Sequence, residues 1–329
     1  MTNLALKERK PPCIKTVGNP LILGAGGWKI FEHFGVIAEL KEQGIVHGTV
    51  LGVSAGATAG AFITSGHDVV VAQEAFLKIV RSGIDMGTMS GSFRLADPVT
   101  MAYGGALSLR NFFASLENDF ALKFADDFQV LTCDLMTREP IVLTNKNCTL
   151  NVALTAATAV PGLFQPEWVF VGGRMRLLGD GALYHYSPTE FTKGPAIVSK
   201  FRPASQFPRQ TRKLFTMVNN WEPGMDIPGA MADLMSRYGF KSAEDFVKFW
   251  RAMLGMYMTG REIFLPFAGN NRYVDPEKHL VIESGLPDVG ALSPDIDEAK
   301  CFEMIEDGKR EARAAVLAAK ADGRFCECE

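Results

Sequence analysis

The sequence predicts an α/β fold built on a mainly parallel sheet, and three observations carry that expectation. Short apolar runs end in glycine-rich turns, and each is followed by a segment with helical spacing of its apolar or small residues. The resulting pace of strand, helix, strand, helix calls for crossover connections between parallel strands, with helices packed on the sheet. With 329 residues, 47% of them hydrophobic and 22% charged, the chain can bury a large core without metal or disulfide staples.

Taken in order, residues 1–18 hold the charged cluster Lys7-Glu8-Arg9-Lys10 and then Pro11-Pro12, and read as an extended lead-in. Pro20-Leu21-Ile22-Leu23 reads as a buried strand feeding the tight turn Gly24-Ala25-Gly26-Gly27. Ile30, Phe34, Ile37 and Ala38 then recur at helical spacing, with Gly44 as a stop. Thr49 to Val53 reads as the next strand and Ala55 to Thr64 as a small-residue helix. Residues 83–108 are rich in Gly and Met, carry no period and read as a long loop. Phe128 to Cys133 and Pro140 to Leu143 read as a pair of strands, and Thr149 to Thr158 as a helix. Trp168 to Val171 and Met175 to Leu178 read as a hairpin around Gly172-Gly173 that delivers the chain to Gly179-Asp180-Gly181.

Ser242 and Asp245 have capping-box spacing, which predicts a helix to Met258 that is apolar nearly all round. Such a helix is buried, or faces lipid or a partner. The last helix is expected from near Asp295 to about Lys320, its stripe of Cys301, Ile305, Gly308, Ala312 and Val316 small enough for close packing on a sheet. One domain is expected over 19–322, with 195–290 as its variable part and 323–329 as a tail.

A formal net charge of -3 gives no support for nucleic-acid binding, which needs a clear basic excess. The N-terminus lacks the apolar stretch of a secretory signal, and no apolar run reaches the roughly 18 residues needed to span a bilayer. Cys13, Cys133, Cys148, Cys301, Cys326 and Cys328 form no C-x-x-C pair, and no His lies at zinc-ligand spacing from them. They read as reduced thiols of a cytoplasmic protein, and with no spanning run, any contact with lipid is expected at a membrane surface. No metal and no other cofactor is expected.

Gly52-Val53-Ser54-Ala55-Gly56 matches G-x-S-x-G between a predicted strand and a predicted helix. In that setting a sharp turn exposes the serine, glycines on either side let backbone pass, and the helix start aims free N–H groups at the reacting centre. The same five residues also suit a small-residue packing turn. Gly24-Ala25-Gly26-Gly27-Trp28-Lys29 lacks the third glycine of a nucleotide-binding turn, since Lys29 stands there. Its bare amides suit an oxyanion hole better. Lys29 reads equally as a charge beside an anionic head group or as a solvated lysine at a helix start. Asp180 between Gly179 and Gly181 points into a site or merely forms a turn. A conventional triad would need His185 or His279, neither of which sits in a recognisable catalytic turn, and His33 reads as a core or capping histidine.

Taken together these segments resemble the patatin-like phospholipase family. Gly24 to Leu40 is similar to the family's G-G-G-x-R/K-G oxyanion segment followed by H-x-G-V, and Gly52 to Gly60 to its G-x-S-A-G-A elbow. Ala156 to Pro166 is similar to A-x-x-A-x-P-x-x-F-x-P, and Gly179 to Ala182 to D-G-G/A. Ala25 and Ile30 replace two of the family's glycines. The resemblance implies a three-layer α/β/α fold and a lipid acyl hydrolase, of phospholipase A or lysophospholipase type, that works through an acyl-enzyme. It implies Ser54 as nucleophile and Asp180 as its base, in a site desolvated enough to raise that carboxylate. Gly26, Gly27 and Ala55 would supply the oxyanion amides, with Ala25, Lys29, Gly52, Gly56 and Gly181 in support. A phospholipid or other acyl-ester lipid is the expected substrate. An acyltransferase with the same dyad, or a non-catalytic binding or structural protein of the same fold, are the alternatives.

Overall fold

Strands that are apolar on both sides organise the molecule. The structure is a computed structural model, and it describes residues 13–82, 108–160, 164–202, 273–290 and 296–326, with shorter pieces between 220 and 247. Strand β1 (Ile14–Lys15) precedes β2 (Val17–Leu23), which leads through the glycine turn into helix α1 (Ile30–Glu42). Strand β3 (Val46–Val53) leads into α2 (Ala55–Thr64), followed by α3 (Val69–Ser82) and α4 (Arg110–Asp119). Then come β4 (Phe128–Asp134), β5 (Pro140–Leu143) and α5 (Leu150–Ala157), and the hairpin of β6 (Glu167–Val171) and β7 (Arg174–Asp180). The described chain closes with β8 (Ile197–Phe201), β9 (Leu280–Ser284), α6 (Glu298–Ala321) and β10 (Phe325–Cys326).

The main sheet has 8 strands in the order β6-β7-β4-β3-β2-β8-β9, with β5 paired to β4. From β4 to β9 every neighbouring pair on that path is parallel. Antiparallel pairing is confined to the end built from β4, β5, β6 and β7. Strict alternation of side chains splits the apolar residues between two cores, as a sheet buried on both faces requires. Leu21, Leu23, Val50, Ile197, Leu280 and Ile282 join a core to which each of α1 to α6 contributes. Ile22, Leu51, Val198 and Val281 face the other way, where Ala182, Tyr184, Phe191 and Val274 cover them.

Expectation and structure agree on strands β2 to β7 and on α1, α2, α5 and α6, which begin or end within a few residues of the sequence reading. The buried stripe of α6 packs on α1 as well as on the sheet. A Cβ on Gly308 would fall 2.2 Å from the Glu32 carbonyl oxygen, and one on Gly35 would fall 2.0 Å from that of Ile305. Strands β8 and β9 and helices α3 and α4 were not anticipated. Of the helix expected over Ser242 to Met258, residue 242 is non-helical, residues 243, 244 and 247 are helical and the rest lies outside the described residues, as does the long loop up to residue 107.

The expectation of reduced thiols fails for one pair. Cys13 and Cys326 are joined as a disulfide, with their Cα atoms 5.7 Å apart. Parallel pairing of β1 with β10, Ile14 opposite Phe325 and Lys15 opposite Cys326, brings the two chain ends together. Their separation of 313 positions leaves no spacing pattern to read. Cys133, Cys148 and Cys301 are free. Among the described residues no helix is long and apolar enough to cross a membrane, and no group of three or more His, Cys, Asp or Glu is placed to hold a metal ion.

Candidate active site

Ser54 follows the last residue of β3 and precedes the first of α2, with φ 54° and ψ -120°. Side-chain-bearing residues avoid that region, at a cost on the order of 1–3 kcal/mol. Tight packing on both sides holds the turn. A Cβ on Gly56 would sit 2.0 Å from the Leu23 carbonyl oxygen, and one on Gly52 would sit 2.4 Å from the Ala57 Cα. Only glycine fits at either position, which is the physical reason for the G-x-S-x-G spacing. The serine is left 9% exposed at the amino end of α2.

Asp180 reaches it by an end-to-end meeting of strands. Strand β4 pairs with β3 through Phe128–Leu131 and with β5, on its other edge, through Val130–Cys133. Where β7 pairs with Thr132–Asp134, β5 already fills that other edge, so β7 takes the edge that β3 leaves open beyond Val53. Since β3 runs parallel to β4 and β7 antiparallel, their carboxyl ends converge, Val53 opposite Leu131 and Asp180 opposite Thr132. The Ser54 hydroxyl donates to Asp180 Oδ2 at 2.7 Å. The Ala182 amide donates to Oδ1 at 2.8 Å. Asp180 is 2% exposed. Burial raises its carboxyl to about 7, against the opposing pull of these two hydrogen bonds. Its own amide donates to the Ala159 carbonyl at 3.0 Å, which gives the Ala156–Val160 stretch a part in the site that its sequence did not disclose. Gly181 stays small because a Cβ there would lie 2.4 Å from the Leu131 carbonyl oxygen.

The glycine turn lies beside this pair, because Leu23 of β2 is in register with Gly52 of β3. The Gly24 amide donates to the Ser199 carbonyl at 2.9 Å and the Ala25 amide to the Tyr186 carbonyl at 3.1 Å. The amides of Gly26, Gly27 and Ala55 find no acceptor among the described residues. Ala25, where the family resemblance has a glycine, therefore uses its N–H structurally and leaves the next two free. The short helical turn Gly27–Lys29 packs against α2.

Lys29 corrects the reading of a solvated lysine. It is buried, and its ammonium donates inward to the Arg202 carbonyl at 2.9 Å, above the Phe201 ring. Burial lowers its pKa, opposed by the nearby carboxyls of Glu32 and Asp307. Burial also pushes Glu32 up to about 7. Among the described residues no histidine bonds to Ser54 or Asp180: His185 Nδ1 meets Glu190 at 3.1 Å, and His279 Nδ1 accepts the Ala196 amide at 3.1 Å. His33, by contrast, uses both ring nitrogens beneath the glycine turn, one toward Ser199 and one toward Gly24. Neither Ser199 nor that contact was anticipated, since the two residues lie 166 positions apart.

No family model matches the chain. Solved structures to which it is similar include VipD from Legionella pneumophila, at 13% identity and a TM-score of 0.48 over 96% of this chain and 72% of that one. Another is the type III effector protein ExoU, at 15% identity and a TM-score of 0.36 over 92% of this chain and 53% of that one. At such identities and scores the likeness carries no functional argument, and the chemistry has to be read from the site's own geometry.

Proposed function

We propose that the protein is a serine acyl hydrolase acting on lipid esters, of phospholipase A or lysophospholipase type, with Ser54 as nucleophile and Asp180 as its base. One observation carries the reading: a serine in a strained strand-to-helix turn donates a 2.7 Å hydrogen bond to a buried carboxylate. A serine hydroxyl is a weak nucleophile until a base takes its proton. A carboxyl raised to about 7 is far better matched to neutral pH than an exposed aspartate near about 3.9.

In this reading Ser54 Oγ attacks the ester carbonyl carbon as its proton passes to Asp180 Oδ2. The carbonyl electron pair moves onto oxygen, where the amides of Gly26, Gly27 and Ala55 and the amino end of α2 stabilise it. Collapse expels the alcohol, which leaves with the proton held by Asp180, and Ser54 keeps the acyl group. Water then gives a proton to Asp180 and its oxygen to the acyl carbon. The fatty acid departs and Ser54 recovers its hydrogen.

A lipid ester is favoured over a soluble one by the hairpin that carries Asp180. Trp168 and Phe170 lie on one face of β6, and Met175 stands opposite Phe170 on β7, all exposed. Aromatic side chains of this kind partition to the water–lipid boundary, and this patch would let the protein rest on a membrane surface.

The test is fluorophosphonate labelling with hydrolysis of a short acyl ester and of phospholipid vesicles. Ser54→Ala is expected to abolish labelling and Asp180→Asn to abolish turnover, with folding retained. Full activity in either variant overturns the dyad. Transfer to an added alcohol in preference to water would point to an acyltransferase, and an unlabelled wild type to a non-catalytic protein. Trp168→Glu with Phe170→Glu is expected to lower the ratio of vesicle to short-ester turnover roughly tenfold, as the loss of about 1.4 kcal/mol of interfacial binding would.

A further inference from the structure

We propose that His33, acting with Ser199, is a positioning residue that fixes the glycine turn and so aims the Gly26 and Gly27 amides. The proposal rests on the oxyanion role given to those amides above.

The contacts form a closed ring. His33 Nε2 lies 2.8 Å from the Gly24 carbonyl oxygen, and Nδ1 lies 2.7 Å from the Ser199 hydroxyl. A carbonyl only accepts, so Nε2 carries the ring proton and Nδ1 accepts from Ser199. The Ser199 carbonyl then accepts the Gly24 amide at 2.9 Å and completes the circuit. On the far side of the same peptide unit, the Ala25 N–H donates to the Tyr186 carbonyl at 3.1 Å. A trans peptide is a rigid plane with its C=O and N–H pointing opposite ways, and this one is gripped at both ends. The Phe201 ring stacks 4.3 Å from the His33 ring. The edge of that phenyl fills the space a Cβ on Gly26 would need, 2.0 Å away.

Beyond the gripped plane, the Gly26 carbonyl accepts the Lys29 amide at 3.1 Å and the Gly27 carbonyl that of Ile30, so the far side of the two glycines is held by the short helical turn and the near side by the His33 plane. Gly26 has φ -174° with ψ 6°, and Gly27 has φ 55°, a conformation only glycine takes readily. Two successive glycines rotate easily about φ and ψ, and a rotated amide no longer faces the oxyanion. The plane gripped by His33 is one of the two fixed ends between which their orientation is set. A fully buried imidazole suits the task because burial holds it neutral, down to about 4, so in the working range it keeps one donor and one acceptor end, assigned by the Gly24 carbonyl. Glutamine at position 33 also has a donor and an acceptor on one side-chain end, and reaches as far as Nε2.

The experiment compares wild type, His33→Ala, His33→Gln and Ser199→Ala on one short acyl ester, with circular dichroism as the folding check. Loss of a single oxyanion donor lowers kcat by on the order of 10²–10³-fold. His33→Ala is expected to lose kcat on that scale with KM changed less than about threefold, as loss of an interaction felt in the transition state does. Ser199→Ala should lose less, and His33→Gln should recover at least a tenth of the wild-type kcat. Affinity for an alkyl trifluoromethyl ketone, which forms an oxyanion on Ser54, should fall in step with kcat/KM across the series, whereas affinity for the uncharged product alcohol should not. If the wild type turns over and folded Ser199→Ala keeps full ketone affinity while His33→Ala loses only KM or stability, the positioning role is overturned alone. A wild type that neither turns over nor labels overturns the hydrolase reading and this role together.

Discussion

Two serines in this molecule donate equally short hydrogen bonds to a basic partner, and only one of them has the backbone placement that the proposed chemistry needs. Ser54 bonds to Asp180 at 2.7 Å and Ser199 to His33 at 2.7 Å. By side-chain type the second pair is the more familiar arrangement, since serine beside histidine is the heart of the commonest serine hydrolases. Backbone placement separates them. Ser54 sits at a strand-to-helix junction in a strained conformation, 9% exposed, with unengaged amides around it. Ser199 lies inside β8, paired with Leu23 on one side and Ile282 on the other, and is 0% exposed. No substrate carbonyl has room to approach it. The partners differ as well: burial raises Asp180 to about 7 and lowers His33 to about 4. A nucleophile is defined by where the chain presents it and what surrounds the incoming atom, and the distance to a base is only one condition.

The sharpest way to break the comparison is to remove each hydroxyl in turn. Ser54→Ala is expected to lose on the order of 10⁴-fold or more in kcat, the scale seen when a nucleophile or its base is removed from a serine enzyme. Its fluorophosphonate adduct should vanish. Ser199→Ala should keep a stoichiometric adduct at Ser54, formed more slowly. Mass mapping of the labelled peptide decides the matter, and an adduct on Ser199 would reverse the assignment.

The pH profile tests the partners. Asp180 has to be ionised to take the Ser54 proton, so kcat/KM should rise tenfold per pH unit below about 7 and level off above it. His33 is already neutral throughout that range and adds no limb of its own. An activity limb near 4 instead would shift the chemistry toward the histidine pair. Stability moves the opposite way. The folded pKa of Asp180 lies above the unfolded value of about 3.9, so between about 4 and 7 the native state holds more protons than the unfolded one and loses stability as pH rises. The advantage of Asp180→Asn over wild type in thermal unfolding should therefore widen from pH 5 to pH 8.

The same division separates the features legible in the sequence from those that were not. The elbow, the glycine turn and the Asp-Gly strand end are local signals, with glycines at close-packed turns and short apolar runs before them, and a linear reading finds such features. The meeting of Ser54 with Asp180 across 126 positions depends on β7 entering the place β3 vacates beside β4, which no spacing encodes. The His33–Ser199 pair was hidden for that reason and for another: β8 was not recognised, because a run as short as Ala196-Ile197-Val198 has no usable period. Lys29 stays open in the sequence between a site charge and a solvated lysine, because lysines ordinarily stay wet and nothing local signals burial. It is buried here because Glu32 and Asp307 compensate its charge and the Arg202 carbonyl accepts a hydrogen bond from its ammonium. The disulfide of Cys13 with Cys326 was missed because chain ends carry no sign of lying side by side.

The smallest effect is the most specific to the backbone difference. At Ser54 alanine removes the hydroxyl but keeps the strained φ of 54°, while glycine removes both. Releasing such strain is worth roughly 1–3 kcal/mol, so Ser54→Gly should be more stable than Ser54→Ala, with a melting temperature about 2–4 °C higher. At Ser199, in regular strand, the order should invert: glycine in a strand costs roughly 0.5–1 kcal/mol relative to alanine. Four variants unfolded side by side in denaturant measure the two differences without reference to activity. Opposite signs would show that the strain resides at Ser54 and is absent from Ser199. Equal signs would remove the backbone distinction on which the choice between the two serines stands.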